Sequence, residues 1–314
     1  MTDGGPRSLE RHEDRLVWIF GSSRSGSTWL LRMLSDFEGV VPIDDPHLGH
    51  HLGVWRPIPL AWAASEDRSP ELSTLLELKA EEPGYFFAER YRESWWGPLR
   101  SLIQARFEAQ ASDLPAVSGP PTYVVKEPAS HVAPLLTELF PRSKLVFLLR
   151  DGRDVVDSWL AAYQQGSWAM PGGAFPVTAA GREPLIRWLA SVWAYRTDAV
   201  LEAFRSHPVG DRVMVRYEQL RERAEDSVEA ICETIGLDPS LAAEVVPRHR
   251  FERLPSGSRG PLREARAADP GSWRENLSLA EQAAMREELG DTLARAGYEQ
   301  AAKVTSRHPL ALRR

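Results

Sequence analysis

Two clusters of residues in this chain have the types and spacing to hold oxyanions. The first is Gly21-Ser22-Ser23-Arg24-Ser25-Gly26-Ser27-Thr28, a run of small residues interrupted by one cation. Small side chains let successive backbone N–H groups turn toward one point, and a helix beginning there adds its dipole. The spacing matches the phosphate-loop pattern G-x-x-x-x-G-K-[ST], except that Ser27 stands in the lysine position. Without that ammonium the β- and γ-phosphates of a nucleoside triphosphate lose their usual point charge, so the loop specifies an anion without naming it. A plain Ser/Gly-rich strand–turn–helix connection has the same composition. The second cluster is Arg150-Asp-Gly-Arg153-Asp-Val-Val-Asp-Ser158. A guanidinium closing an apolar run and a hydroxyl two helical turns later can grip a second oxyanion, the arginine by a charge-assisted fork. Arg153 is expected to pair with the neighbouring aspartates, and Asp151 and Asp154 to act as caps or dipole partners. Lys126, in Val-Val-Lys-Glu-Pro, is a third candidate. The 38 basic residues include only Lys79, Lys126, Lys144 and Lys303 as lysines, so a compact ammonium after an apolar run suggests a sterically selective task.

These residues need a scaffold that brings them together. Leu16–Phe20 reads as a fully buried strand, followed by a helix over Ser27 to Phe37 with apolar positions at 30, 31, 33, 34 and 37. Val40-Val41 is a short second strand ended by Pro42. Residues 50–120 are rich in Trp and Pro, with helical patterns near 71–79 and 85–110. Tyr123–Val125 and Lys144–Leu149 are the third and fourth strands, with a crossover helix over Val132–Phe140. A helix from Asp154 to Tyr163 leads into a Gly- and Pro-containing loop, 164–183. A long helix follows from Pro184, at its permissive first turn, to Ser206. Arg212–Val215 is the fifth strand, and helices near 224–236 and 279–296 close the pattern. Strands alternating with helices predict an α/β fold: a P-loop-like three-layer sandwich with a central parallel sheet flanked by helices. Ligands in such sheets bind at the carboxyl ends of strands, where Arg24, Lys126 and Arg150 all fall.

The bulk composition excludes several classes. The 314 residues carry a net charge of −6 and no basic block, which argues against nonspecific nucleic-acid binding. Cys232 is the single cysteine, so an intrachain disulfide or a cysteine metal site is out and a reducing compartment is expected. The five apolar residues after the polar N-terminus are too few for a signal-peptide core or a membrane span. The expectation is a soluble cytoplasmic protein, with residues 16–300 as one domain between tails 1–15 and 301–314.

Taken together, Arg24-Ser25-Gly26-Ser27-Thr28-Trp29 and Arg150-(x7)-Ser158 closely resemble the sulfotransferases that use 3′-phosphoadenosine 5′-phosphosulfate (PAPS). The resemblance spans residues 16–296. It implies that the first loop binds the 5′-phosphosulfate, with Arg24 bridging the leaving phosphate and the sulfuryl group, and that Arg150 and Ser158 bind the 3′-phosphate. Val213-Met-Val-Arg-Tyr217-Glu-Gln-Leu resembles the family segment whose Tyr lies near the adenine. Arg259-Gly260 with Gly271-Ser-Trp273 resembles the segment that closes over the 3′-phosphate, though with about ten residues beyond the usual spacing. PAPS is then the co-substrate, its bisphosphate PAP the product, and no metal is required.

The catalytic base is open. Cytosolic members tend to have Lys-x-His at the third strand; here the residues are Lys126-Glu127-Pro128. Other members place a Glu just after the second strand, where Asp45 stands in Asp44-Asp45-Pro46-His47. Asp45 serves if burial or Asp44 raises its pKa, and His47 is the alternative because imidazole titrates near neutrality. Glu127 and His131 are further candidates. His47, His50 and His51 lack carboxylates at ligand spacing and are read as exposed loop residues rather than a metal site. Trp55, Trp62, Trp95, Trp96 and Trp168 suggest a broad apolar pocket for a phenol, a lipid-bearing alcohol or a natural product, unless they pack the covering helices. The loop carrying Trp168 is a candidate lid. A P-loop kinase or nucleoside triphosphatase and a noncatalytic nucleotide-binding protein are the alternatives. Oligomeric state is not legible.

Overall fold

The structure is a computed structural model that describes residues 9, 12–52, 82–113, 119–164, 166–168, 179–250, 253 and 269–298. Five strands, β1 (Leu16–Phe20), β2 (Val40–Asp44), β3 (Thr122–Glu127), β4 (Lys144–Leu149) and β5 (Arg212–Arg216), form one parallel sheet in the order β2-β3-β1-β4-β5. Register places Ile19 beside Lys126 on one side and Val146 on the other, so the carboxyl ends of β1, β3 and β4 share an edge. The second strand does not stop at Pro42 as expected but continues to Asp44. It is an edge strand, where a missing N–H removes no ladder bond that the sheet needs. β3 is likewise longer than expected and carries Lys126 and Glu127 within it.

Eleven helices are described: α1 (Ser27–Leu34), α2 (Leu48–His51), α3 (Arg92–Ser112), α4 (Ala133–Leu139), α5 (Gly152–Ala162), α6 (Ala179–Ser206), α7 (Tyr217–Glu222), α8 (Ala224–Ile235), α9 (Ala242–Val245), α10 (Trp273–Asn276) and α11 (Leu279–Arg295). Pro184 lies inside α6, which starts five residues earlier than the proline suggested. The expected helix near 71–79 lies outside the described residues. None of the described helices is long and apolar enough to cross a membrane.

Strand alternation sorts the core. Val17 and Ile19 of β1 join Leu30, Leu34, Val228 and Ile231 on the face covered by α1 and α8. Leu16, Trp18 and Phe20 join Phe107, Leu136, Val155 and Trp193 on the face covered by α3, α4, α5 and α6. The chain therefore leaves β1 toward one face and β4 toward the other. Adjacent parallel strands whose connections part in this way open a crevice at their carboxyl ends, and this one lies between Gly21 and Arg150.

Candidate active site

The loop after β1 is shaped by two left-handed residues, Arg24 at φ 72° and Gly26 at φ 91°. A side chain at Gly26 would place its Cβ 2.7 Å from the Tyr217 ring, so both conformation and space demand glycine. The first turn of α1 has neither a side-chain cap nor an acidic residue, which leaves its amide donors available to an anion. The hydroxyls of Ser22 and Ser25 are buried without a hydrogen-bond partner. Buried polar atoms of this kind call for a ligand or ordered water.

Arg150 completes the same site from the neighbouring strand. It is 5% exposed, donates from Nη1 to the Arg24 carbonyl (2.8 Å), and lies 4.3 Å over the Tyr217 ring. Its Nε is buried with no hydrogen-bond partner. Arg24 donates from Nε to Ser158 Oγ (3.1 Å), which joins the two sequence clusters physically. Arg153 pairs with Asp151 at 2.7 Å, and Asp151 caps α5, as expected for both.

Sequence reasoning missed how α5 anchors the C-terminal segment. Asp154 accepts from the Gly271 amide (2.8 Å), and Asp157 accepts from the Asn276 side chain (3.0 Å). Burial raises the pKa of Asp154, opposed by the Gly271 bond and by Arg150. The i, i+3 spacing of the two acids on one helix was the available signal. On the other side of the loop, a cavity of about 530 Å³ is lined by Trp29, Val246 and charged residues of both signs, among them Arg221, Glu222, Glu225 and Arg250. Trp29 is fixed there by donating its indole N–H to the His249 carbonyl (2.7 Å).

At the end of β3, Lys126 is 4% exposed and meets three oxygens: Thr28 Oγ1 (2.8 Å), Asp44 Oδ1 (2.6 Å) and Asp45 Oδ1 (3.0 Å). The ammonium thus ties the phosphate loop to the end of β2 and sits between the two aspartates. Asp45 (φ 50°) and His47 (φ 53°) both hold left-handed backbone, and both stand on this edge. The fully buried carboxylate beside them is Glu127. Its Oε2 accepts from the Leu48 amide (2.7 Å) and its Oε1 from the Ala129 amide (2.9 Å). Burial lifts its pKa to about 7 against those bonds. Both oxygens are engaged and neither is exposed, so Glu127 fastens the 45–48 turn. His131 is buried with its ring 5.6 Å from Tyr195.

The tryptophans divide. Trp168 is 42% exposed and carries the Arg24 guanidinium 5.2 Å from its ring centre, on the site itself. Trp159 is buried and donates to Ser23 Oγ (2.9 Å), bracing the phosphate loop. Trp95 packs on Phe87 and donates to the Ala88 carbonyl, while Trp96 is covered by Arg92, so both have packing partners of their own. Trp55, Trp62, Arg259, Gly260 and residues 169–178 of the loop lie outside the described residues. Among the described residues, no group of three or more His, Cys, Asp or Glu side chains could hold a metal ion.

The sequence and the fold are similar to those of known proteins. The chain is 24% identical over 306 residues to the nodulation protein NoeE of Sinorhizobium fredii, covering 91% of this chain and 66% of that one. It thus spans just under two thirds of that relative's length. Among solved structures, the sulfotransferase domain of the Synechococcus PCC 7002 olefin synthase superposes with a TM-score of 0.51 at 19% identity, covering 88% of this chain and 93% of that one. Mouse sulfotransferase SULT7A1, solved in complex with PAP, superposes with a TM-score of 0.52 at 13% identity, covering 89% and 85%. These likenesses share the parallel sheet flanked by helices. A model of the sulfotransferase family matches residues 17–240, which takes in the phosphate loop, Lys126, Arg150, Ser158 and Tyr217: this chain belongs to the sulfotransferase family.

Proposed function

We propose that the chain transfers the sulfuryl group of PAPS to a hydroxyl of a small, largely apolar or aromatic acceptor, within one domain. The observation that carries the donor assignment is the buried Arg150, whose Nε lacks a partner and whose guanidinium is braced by Tyr217 and the Arg24 carbonyl. Arg150 and Ser158 would take the 3′-phosphate, with Arg259 and Gly260 closing over it. The amides and hydroxyls of Arg24, Ser25, Gly26, Ser27 and Thr28 would take the 5′-phosphosulfate. Tyr217 and Trp29 would flank the adenine, Trp29 from the cavity it lines. The PAP in the mouse structure supports the same choice of donor.

In the reaction the acceptor oxygen forms a bond to sulfur as the bond from sulfur to the phosphate oxygen breaks, and the acceptor proton passes to a base. Lys126 and Arg24 would stabilise the charge on the moving group and the departing phosphate, by positioning and electrostatics. Asp45 and His47 are the base candidates that reach this edge. The lone Cys232 supports action in the cytoplasm. Calorimetric titration with PAP, set against ATP with magnesium, tests the donor assignment. Tight PAP binding that is lost in Arg150→Ala is expected, by about 1.5–3 kcal/mol for a charge-assisted pair. Preference for ATP refutes the assignment.

A further inference from the structure

We propose that Arg196 anchors an oxyanion on the acceptor, so that the preferred acceptor is an aromatic hydroxy acid whose carboxylate meets this guanidinium. The inference rests on the sulfuryl-transfer reading above and names the substrate class for it. Arg196 stands on α6 and approaches the sheet edge from the face opposite the Trp29 cavity. Its guanidinium lies 5.9 Å from the Trp159 ring centre. It is close enough to the Glu127 carboxylate and the Tyr163 hydroxyl to interact with both electrostatically, and Tyr163 also feels Arg24 of the phosphate loop. Arg196 therefore sits between the end of β3 and the loop that would hold the donor. Trp159 and Tyr163 lie beside Arg196, and Trp168 lies beside Arg24.

Beyond these contacts Arg196 forms neither a hydrogen bond nor an ion pair among the described residues. Desolvation is the largest influence on it and lowers its pKa. The half-buried guanidinium is without a protein acceptor among the described residues, and a carboxylate offers the planar acceptor that its fork fits. Nearby groups cannot fill that role. Glu127 spends both oxygens on the Leu48 and Ala129 amides. Asp44 and Asp45 are engaged by Lys126. The donor's phosphates have their own partners in the loop amides and Arg150. An oxyanion that arrives with the acceptor is what remains for Arg196.

The test uses the full chain saturated with PAP and three matched probes, 6-hydroxy-2-naphthoate, its methyl ester and 2-naphthol, titrated by calorimetry. The acid should bind at least about tenfold more tightly than the ester or the naphthol, which is about 1.4 kcal/mol. In Arg196→Gln the three affinities should converge to within about twofold while PAP affinity is unchanged. Arg196→Lys keeps the charge without the fork and should retain part of the preference. Equal affinity for acid and ester in the wild type overturns the proposal, as does an acid preference that survives Arg196→Gln, or no binding of any probe. If Arg196→Gln fails to fold, the wild-type ratio and Arg196→Lys decide. Failure of PAP itself to bind overturns the donor reading instead, so the two outcomes are distinct.

Discussion

Replacing Glu127 by Gln should change the way stability depends on pH, with a sign fixed by burial. The carboxyl group sits at about 7 in the fold against an ordinary 4.5, because desolvation of the charge outweighs the two amide bonds and the pull of Arg196. Between those values the native state holds a proton that the unfolded chain has lost. Native wild type therefore loses stability as pH climbs from 4.5 to 7, and the loss levels off above 7. At about 1.36 kcal/mol per pH unit, the total is about 3 kcal/mol. Glutamine does not titrate. It keeps one acceptor for two amides, so at pH 4.5 the variant should start about 1–2 kcal/mol below wild type. The stability difference should then move about 3 kcal/mol in the variant's favour by pH 7.5 and stay flat to pH 9. Urea unfolding of both proteins at half-unit steps measures this. Subtracting the curves cancels the groups that do not interact with Glu127. Parallel curves, or a difference that moves against the variant as pH rises, would refute the argument that burial governs this carboxyl.

Two further substitutions probe the loop and the cavity. Gly26→Ala forces a side chain onto a φ of 91° and to within 2.7 Å of the Tyr217 ring, so thermal unfolding should show a loss of about 1–3 kcal/mol together with weaker PAP binding. A wild-type melting temperature would contradict the strained-turn account. Trp29→Ala should weaken PAP by about tenfold or more, the scale of one base-stacking platform, yet leave affinity for pyrophosphate unchanged. Equal losses for both ligands would place the effect in the phosphate loop rather than in the cavity.

The candidate oxyanion loop was legible because its requirements are local. Small residues at fixed spacing, an apolar strand before them and a helix after them are all written within the stretch Leu16–Leu34. Arg150 was legible for the same reason, at the end of the run Lys144–Leu149. What joins these pieces was not. Lys126 faces Asp44 through the register of β2 against β3, which no short window contains. Pro42 read as a strand end because its tolerance depends on lying at the sheet edge, a fact of topology. Glu127 was read from the sequence as a further base candidate, and only the fold shows it buried and bonded to the Leu48 amide. Arg196 was one arginine among many until α6 brought it over Trp159.

The alternation of side chains along β1 has a practical consequence. Five residues make the sheet a partition wall, with Val17 and Ile19 facing one room and Leu16, Trp18 and Phe20 the other. The Trp29 cavity opens on the first room and Arg196 looks in from the second. On the proposed reading, libraries built along α6 would vary the side that Arg196 faces and leave the Trp29 side as it is. Retargeting this scaffold is then a matter of refurnishing one side of the wall.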